Sequence, residues 1–301
     1  VFNEKGELIG VHGRADLDTK QTKTGFNLGI PINTFLRLSA TTGVDTGVIP
    51  SNTPVATTPK AADFYIQAGD KYKKGDYKGA IADYTSALKI NPKFAQAYYN
   101  RGNARQELGD NQGAITDYTS AIQIDPKDTK SYSNRGFIRG KLLGDKQGAI
   151  ADYTSALKIN PNFFIAYYNR GDIRQELEDK QGAIADYTSA LKINPNFFLA
   201  YYNRGNIRQE LGDKQGAIAD YTSVIKISPE YGFAYFKRAY IRQELGDYKG
   251  AIADYTSALK INPNLVEAYY NRGDIRADLK DRQGAIADFR QAANLSQQQG
   301  N

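Results

Sequence analysis

The side chains with the most obvious chemistry in this sequence are arginines that recur in pairs, four residues apart. Two guanidinium groups one helical turn apart could clamp a phosphate, or carboxylates could neutralise them inside the fold. Aspartates recur in step with the arginine pairs, and a half-buried arginine without a partner costs about 3–5 kcal/mol. We therefore predict an internal Arg–Asp ladder, with a phosphate-binding stripe as the alternative. The arginines are Arg101 and Arg105, Arg135 and Arg139, Arg170 and Arg174, Arg204 and Arg208, Arg238 and Arg242, and Arg272 and Arg276; the aspartates are Asp117, Asp152, Asp186, Asp220, Asp254 and Asp288.

Residues for nucleophilic or metal-dependent catalysis are scarce. The chain has no cysteine and a single histidine, His12, so it offers no thiol nucleophile and no pair of histidine ligands. A Ser-His-Asp site needs a base within reach of a nucleophile, and the sequence shows no such set. We expect no catalytic residues, no metal and no cofactor. The absence of cysteine fits a reducing cytosol and an oxidising periplasm equally well.

Composition narrows the class further. The chain has 301 residues, of which 41% are hydrophobic and 12% aromatic, enough to form a core. No run of 18 apolar residues exists, so we expect no membrane span. The net charge of +6 is spread along the sequence, so it does not by itself imply a nucleic-acid partner. The chain begins at Val1 and contains no methionine, so we expect that Val1 is not a natural start.

One phrase, Ala-Ile-Ala-Asp-Tyr with small changes, recurs at intervals of 34 or 35 residues. Within one unit, helical spacing of apolar residues predicts two helices separated by a turn at Gly109-Asp110, and Pro126 ends the second helix. A single unit cannot bury its apolar stripe, so neighbouring units must stack. The phrase begins at Ala80, Ala114, Ala149, Ala183, Ala217, Ala251 and Ala285.

A period of 34 residues with a glycine-containing turn and a helix-ending proline in most units resembles the tetratricopeptide repeat. The resemblance covers residues 62–295 and implies an all-α fold, an α-solenoid of seven helix-turn-helix repeats wound as a right-handed superhelix. The third repeat has one extra residue, which we expect a bulge or a longer turn near Gly140 to absorb. The tyrosines of the second helices are predicted to be core, and residues 296–301 to form a polar tail.

In tetratricopeptide-repeat proteins the first helix of each repeat lines a concave groove. The resemblance implies that this groove binds a protein or an extended peptide. An asparagine beside a tyrosine suits such a ligand, because the amide pairs with peptide bonds and the ring forms an apolar wall. The alternative is that these residues only solvate and stiffen the groove. The groove residues are Tyr99, Asn100, Asn103, Asn134, Tyr168, Asn169, Asp172, Tyr202, Asn203, Asn206, Phe236, Tyr240, Tyr270, Asn271 and Asp274.

Residues 1–40 differ from the repeats in sequence pattern, and residues 41–61 are predicted to form a Thr/Pro-rich linker. The stretches 1–13 and 29–32 resemble the last segments of a trypsin-like serine protease domain. With the repeats, they resemble a cyanobacterial-type protease that carries C-terminal tetratricopeptide repeats. The resemblance implies a short β remnant here and places the catalytic residues upstream of Val1, since His12 does not match the catalytic histidine.

Three functions remain as hypotheses. The leading one is a scaffold without chemistry of its own that binds a protein or peptide. The second is peptidase activity of a longer parent protein. The third is RNA binding, motivated by the basic charge and disfavoured by the predicted pairing of the arginines.

Overall fold

A computed structural model describes residues 59–299, so the expected β remnant and most of the expected linker lie outside the described residues. In this range the chain forms fourteen α-helices and one π-helical turn, and no strand. The helices are α1 (Ala61–Lys73), α2 (Tyr77–Ile90), α3 (Ala95–Glu107), α4 (Asn111–Ile124), α5 (Thr129–Phe137), α6 (Lys146–Ile159), α7 (Phe164–Glu176), α8 (Lys180–Ile193), α9 (Phe198–Glu210), α10 (Lys214–Ile227), α11 (Gly232–Glu244), α12 (Tyr248–Ile261), α13 (Val266–Asp278) and α14 (Arg282–Gln299).

The helices form seven consecutive hairpins, and the described residues lie in one compact unit. Odd-numbered helices are the first helices of the repeats and even-numbered helices are the second. Each helix packs on the one before it and the one after it along the chain. Stacking of this kind buries a continuous core from short local elements. The all-α repeat architecture predicted from the sequence is confirmed for these residues.

The turn inside each hairpin has a fixed chemistry. One residue adopts a positive φ, which glycine takes at no steric cost; in the fourth and seventh repeats Glu178 (φ 61) and Lys280 (φ 65) take it instead. The next residue is an aspartate that caps the second helix, as when the Gly182 N–H donates to Asp179 Oδ1 at 3.0 Å. These two residues start every second helix at the same place.

Tyrosines of the second helices form the centre of the core, as predicted. Tyr187 is fully buried, and the first helix approaches it closely because Gly171 has no side chain. A Cβ at Gly171 would lie 2.9 Å from Tyr187 Cε1. The equivalent buried tyrosines are Tyr84, Tyr118, Tyr153, Tyr221 and Tyr255.

The extra residue of the third repeat is absorbed by a π-helical turn, Ile138–Leu142, which directly follows α5. Gly140 lies at its centre and is buried. A Cβ there would lie 2.7 Å from Ile173 Cδ1 and 2.9 Å from Ala149 Cβ, so only glycine fits. The bulge expected near Gly140 is confirmed.

The last helix is longer than its counterparts. Helix α14 has 18 residues, whereas α12 has 14. It lacks the Asn-Pro pair that ends α12 at Asn262-Pro263, so the helix continues through Gln299. Residues 296–299, expected to belong to a polar tail, are therefore helical.

Candidate protein-binding face

A ladder of ion pairs runs between the first and second helices. Arg170 donates from Nε and Nη2 to the two oxygens of Asp186 at 2.9 and 2.7 Å, and Arg174 Nη1 lies 2.8 Å from Asp186 Oδ2. The same arrangement recurs in repeats two to seven. In the first repeat Lys71 takes the place of an arginine and lies 2.7 Å from Asp83. The predicted Arg–Asp ladder is confirmed.

The ladder also joins neighbouring repeats. Arg204 Nη1 donates to Thr188 Oγ1 of the preceding repeat at 2.9 Å, and its guanidinium lies 5.5 Å from the centre of the Tyr201 ring. Charged donors thus find acceptors and an aromatic face within the stack. Because these contacts occupy most of the guanidinium donors, few donors remain for a phosphate. The ladder therefore disfavours the alternative of a phosphate-binding stripe.

The first-helix face is defined here as the side chains at the fifth, sixth and ninth positions of the odd-numbered helices α3 to α13. Asparagines at the sixth position donate to the preceding repeat. Asn203 Nδ2 lies 3.1 Å from Asp172 Oδ1 and 3.3 Å from the Tyr168 hydroxyl. Asn134 donates to Asn103 Oδ1 at 3.0 Å. These amides therefore tie successive repeats together.

The remaining asparagines of the face bind tyrosine hydroxyls of the preceding repeat or of their own repeat. Asn100 donates to the hydroxyl of Tyr65, and Asn169 and Asn271 hydrogen-bond to the hydroxyls of core tyrosines. At the ninth position, Asn206 accepts from the Tyr221 hydroxyl at 2.7 Å. The sequence alone did not indicate the inter-repeat bonds of this network, because they depend on the angle at which neighbouring repeats stack.

Burial shapes the titration of the network. The Tyr187 hydroxyl donates to Asp172 Oδ1 at 2.7 Å. Burial, with the neighbouring carboxylate, raises the pKa of Tyr187 well above its ordinary value. Burial also raises the pKa of Asp172, which Lys141 and the hydrogen bonds from Tyr187 and Asn203 oppose. The network is held by a neutral tyrosine that keeps its proton at physiological pH.

Exposure of the predicted aromatic residues changes along the array. Tyr168 is 8% exposed, because it packs between Tyr187 and Phe197 with ring centres 5.8 and 4.8 Å away. By contrast, Tyr240 is 40% exposed and Tyr270 is 58% exposed. Partly buried Tyr99 and Tyr202 resemble Tyr168 in packing on core tyrosines, while Asp274 is exposed on α13.

Four of the predicted residues come together in one place, here named the C-terminal cleft. Phe236, Tyr240, Tyr270 and Asn271 line a volume of about 830 Å³ between α11, α13 and α14. Sequence reasoning did not include the rest of its lining, although the departure of α14 from the repeat pattern was a usable signal. The additional residues are Gln209, Lys237, Val266, Glu267, Phe289, Ala292, Ala293 and Ser296.

The described residues offer aromatic, amide and charged groups on this face rather than a reactive centre. Between residues 59 and 299, no group of three His, Cys, Asp or Glu side chains is placed to hold a metal ion. In the same part of the chain, no helix combines the length and hydropathy that a membrane crossing requires.

Solved structures share the fold at low sequence identity. A tetratricopeptide repeat protein from Parabacteroides merdae is 24% identical, with a TM-score of 0.56 over 78% of this chain and 93% of that one. A TPR repeat-containing protein from Cytophaga hutchinsonii is 17% identical, with a TM-score of 0.67 over 77% and 95%. YrrB, described as a TPR protein with an unusual peptide-binding site, is 19% identical, with a TM-score of 0.56 over 63% and 97%. At these identities the likeness shows the fold alone.

Family matches cover most of the array, whereas no curated protein matches the sequence significantly. The family described as TPR repeat matches residues 69–109, 141–178, 171–212 and 239–280. Families described as tetratricopeptide repeat match residues 95–128, 199–231 and 266–299. Together with the seven stacked helical hairpins, these matches show that the chain belongs to the tetratricopeptide repeat family.

Proposed function

We propose that this chain is a scaffold without enzymatic activity that holds a protein or a peptide segment on its first-helix face. The C-terminal cleft carries this proposal. It exposes two tyrosines, Tyr240 and Tyr270, on a wall that also contains Phe236 and Lys237. Exposed aromatic side chains in a concave site supply contact area with little loss of conformational entropy, which is typical of protein-binding surfaces.

The hydrogen-bond network in repeats two to five limits which residues of the first-helix face can contact a partner directly. Asn203 and Asn134 already donate to the neighbouring repeat, and Tyr168 is buried. These residues therefore give the face its rigidity, which lowers the entropic cost of binding. We propose that the direct contacts come mainly from the sixth and seventh repeats. The peptide-binding description of YrrB supports this assignment only as an analogy of fold.

Site-specific photo-crosslinking tests the proposal. A benzophenone amino acid replaces Tyr240 or Tyr270 in one pair of variants. In the matched control it replaces Tyr248, a tyrosine 37% exposed at the start of second helix α12. We expect crosslinked partner species in cells from positions 240 and 270 and none from 248. Equal crosslinking from all three positions, or none from any, would remove the support for this face.

A second proposal concerns the parent protein. The resemblance of residues 1–13 and 29–32 to a trypsin-like serine protease supports a longer chain with peptidase activity. Those residues lie outside the described part of the chain. Reading the coding sequence upstream of Val1 decides the matter, because a Gly-x-Ser-Gly-Gly-Pro motif must directly precede this residue in such a parent.

RNA binding is the weakest of the three hypotheses. Its motivation was the net charge of +6. The arginines of the ladder are engaged by aspartates in repeats two to seven, so these guanidinium groups are held inside the stack and are not free to contact phosphates. Salt-independent or absent retention on RNA would exclude it.

A further inference from the structure

The C-terminal cleft lies on the seventh hairpin, the last one among the described residues. In inner repeats, the tyrosine at the fifth position is covered by the residue that precedes the next first helix. Phe197 lies 4.8 Å from Tyr168, and Tyr231 lies 5.1 Å from Tyr202. Tyr270 is 58% exposed where Tyr168 is 8% exposed. Among residues 59–299, nothing covers the surface of the seventh repeat that corresponds to the one on which each inner repeat packs a helix.

The opposite end of the described array is polar. At the third, seventh and tenth positions of α1 stand Asp63, Gln67 and Asp70, and all three are exposed. The first helices of the later repeats usually have a buried alanine, always an arginine and usually a buried isoleucine at these positions. Packing α1 of a second copy into the cleft would bury two carboxylates, which is costly. Head-to-tail stacking of this chain is therefore disfavoured.

The seventh repeat departs from the others at the positions that receive the next helix. In inner repeats, the threonine at Thr188 or Thr256 accepts a hydrogen bond from the arginine of the following first helix. The equivalent position on α14 holds an exposed arginine, Arg290. Two facing guanidinium groups repel, so a further helix of the usual sequence does not fit.

A second departure removes the polar part of the interface. The hydroxyl of Tyr118 participates in the network that receives Asn134 of the next repeat. In the seventh repeat this tyrosine is replaced by Phe289, which has no hydroxyl and lines the cleft. An incoming helix must therefore place an apolar residue, not an asparagine, against Phe289.

We propose that the C-terminal cleft binds an amphipathic helix of a partner protein, which packs as an eighth first helix and places an acidic residue against Arg290. The proposal deepens the proposed function and rests on it. Continuity with the repeat interfaces fixes the pattern of the helix. An aromatic residue or leucine precedes it and covers Tyr270; its third residue is small, its sixth apolar, its seventh acidic and its tenth aliphatic.

A peptide tests this pattern directly. The probe has the sequence of residues 265–279 with Asn271→Leu and Arg272→Glu, a side-chain lactam on its outward face to hold the helix, and a fluorophore. The control peptide keeps Arg272. We expect the glutamate peptide to bind the full chain at least about ten-fold more tightly by fluorescence anisotropy. Because the contact is electrostatic, Arg290→Glu should reverse the preference.

The outcomes separate this inference from the proposed function. No binding of either peptide, or equal binding unaffected by Arg290→Glu, overturns it. Binding that survives Ala293→Arg, a change at an exposed position of the cleft wall, also overturns it. A dimer in sedimentation velocity that Ala293→Arg dissolves would make a second copy the occupant instead. If a partner still crosslinks at position 240 in the Ala293→Arg variant, the scaffold function stands and the helix proposal fails.

Discussion

At the scale of single residues, Asp186 is the most exacting position of the ladder. Its side chain is 4% exposed and accepts hydrogen bonds from both Arg170 and Arg174. Asp186→Ala would leave two guanidinium groups, 13% and 26% exposed, without their main partner. Removing one member of a buried ion pair costs about 3–5 kcal/mol. We expect a loss of this order in the free energy of unfolding, measured by urea denaturation with circular dichroism.

A charge-matched control separates this effect from net charge. Asp278 is exposed at the end of α13, and Asp278→Ala removes the same charge from the surface. Its urea midpoint should stay close to that of the unchanged chain. An Asp186→Ala midpoint equal to the Asp278→Ala midpoint would contradict a stabilising ladder.

Side-chain contacts could be predicted from the sequence where both partners repeat at matched positions of one hairpin. They could not be predicted where the partners come from different repeats. The pairing of Arg170 with Asp186 was predictable because both residues repeat at matched positions of one hairpin. The bond from Asn203 to Asp172 was not, because its 31-residue separation becomes a contact only through the angle between repeats. Tyr168 is buried because Phe197, which precedes the next first helix, covers it, whereas no described residue covers Tyr270 in this way.

At the scale of secondary-structure elements, the π-helical turn Ile138–Leu142 is the main irregularity of the array. Deleting Gly140 restores the 34-residue period and lets α5 run as one regular helix to the turn at Gly144. We expect the deletion variant to be at least as stable as the unchanged chain. By contrast, Gly140→Ala should cost about 1–3 kcal/mol, because its Cβ would overlap Ile173 and Ala149.

Thermal unfolding followed by circular dichroism compares the two variants. Both variants change Gly140. The deletion changes the register of the helix, whereas Gly140→Ala changes only the packing around this position. A deletion variant that melts below Gly140→Ala would show that neighbouring repeats depend on the π-helical geometry itself. Hydrogen exchange of the amides of residues 138–143 gives an independent measure, since a regular helix should slow it.

Element-scale features followed from sequence where the turn chemistry was explicit. Helix starts were fixed by the aspartate cap, and even Glu178 adopts the left-handed conformation of its glycine counterparts because the flanking helices impose it. The extension of α14 was missed, because the polar composition of residues 296–299 outweighed the absence of a proline. The absence of an Asn-Pro pair predicted the length of α14 better than the polar composition did.

At the scale of the whole molecule, repetition multiplies the effect that one buried tyrosine has on the pH dependence of stability. Every repeat except the last has a buried tyrosine in its second helix, and each such side chain keeps its proton more strongly than in the unfolded chain. Burial raises the pKa of Tyr84 to about 12. It raises the pKa of Tyr118, Tyr153 and Tyr221 further above the ordinary value.

This repetition predicts alkaline unfolding. Above about pH 10 tyrosines of the unfolded chain lose protons that the folded array retains, so the free energy of unfolding falls as pH rises. Each buried tyrosine contributes up to about 1.4 kcal/mol per pH unit in this window. We expect the urea midpoint to be level up to about pH 9 and to fall steeply between about pH 10 and about pH 12.

Lysines also titrate in this window, so a tyrosine-specific variant is needed. Burial raises the pKa of Tyr255, and Phe289 shows that phenylalanine fits the equivalent position of the seventh repeat. Tyr255→Phe removes one titrating group while keeping the ring, so the alkaline fall should become shallower. The lost hydrogen bond from the Tyr255 hydroxyl to Gln243 Oε1 should lower the midpoint near neutral pH, and it is the slope above about pH 10 that reports the titration. An unchanged slope would assign the alkaline transition to the lysines. A level midpoint through about pH 12 would show that the core tyrosines are not protected from solvent as their burial requires.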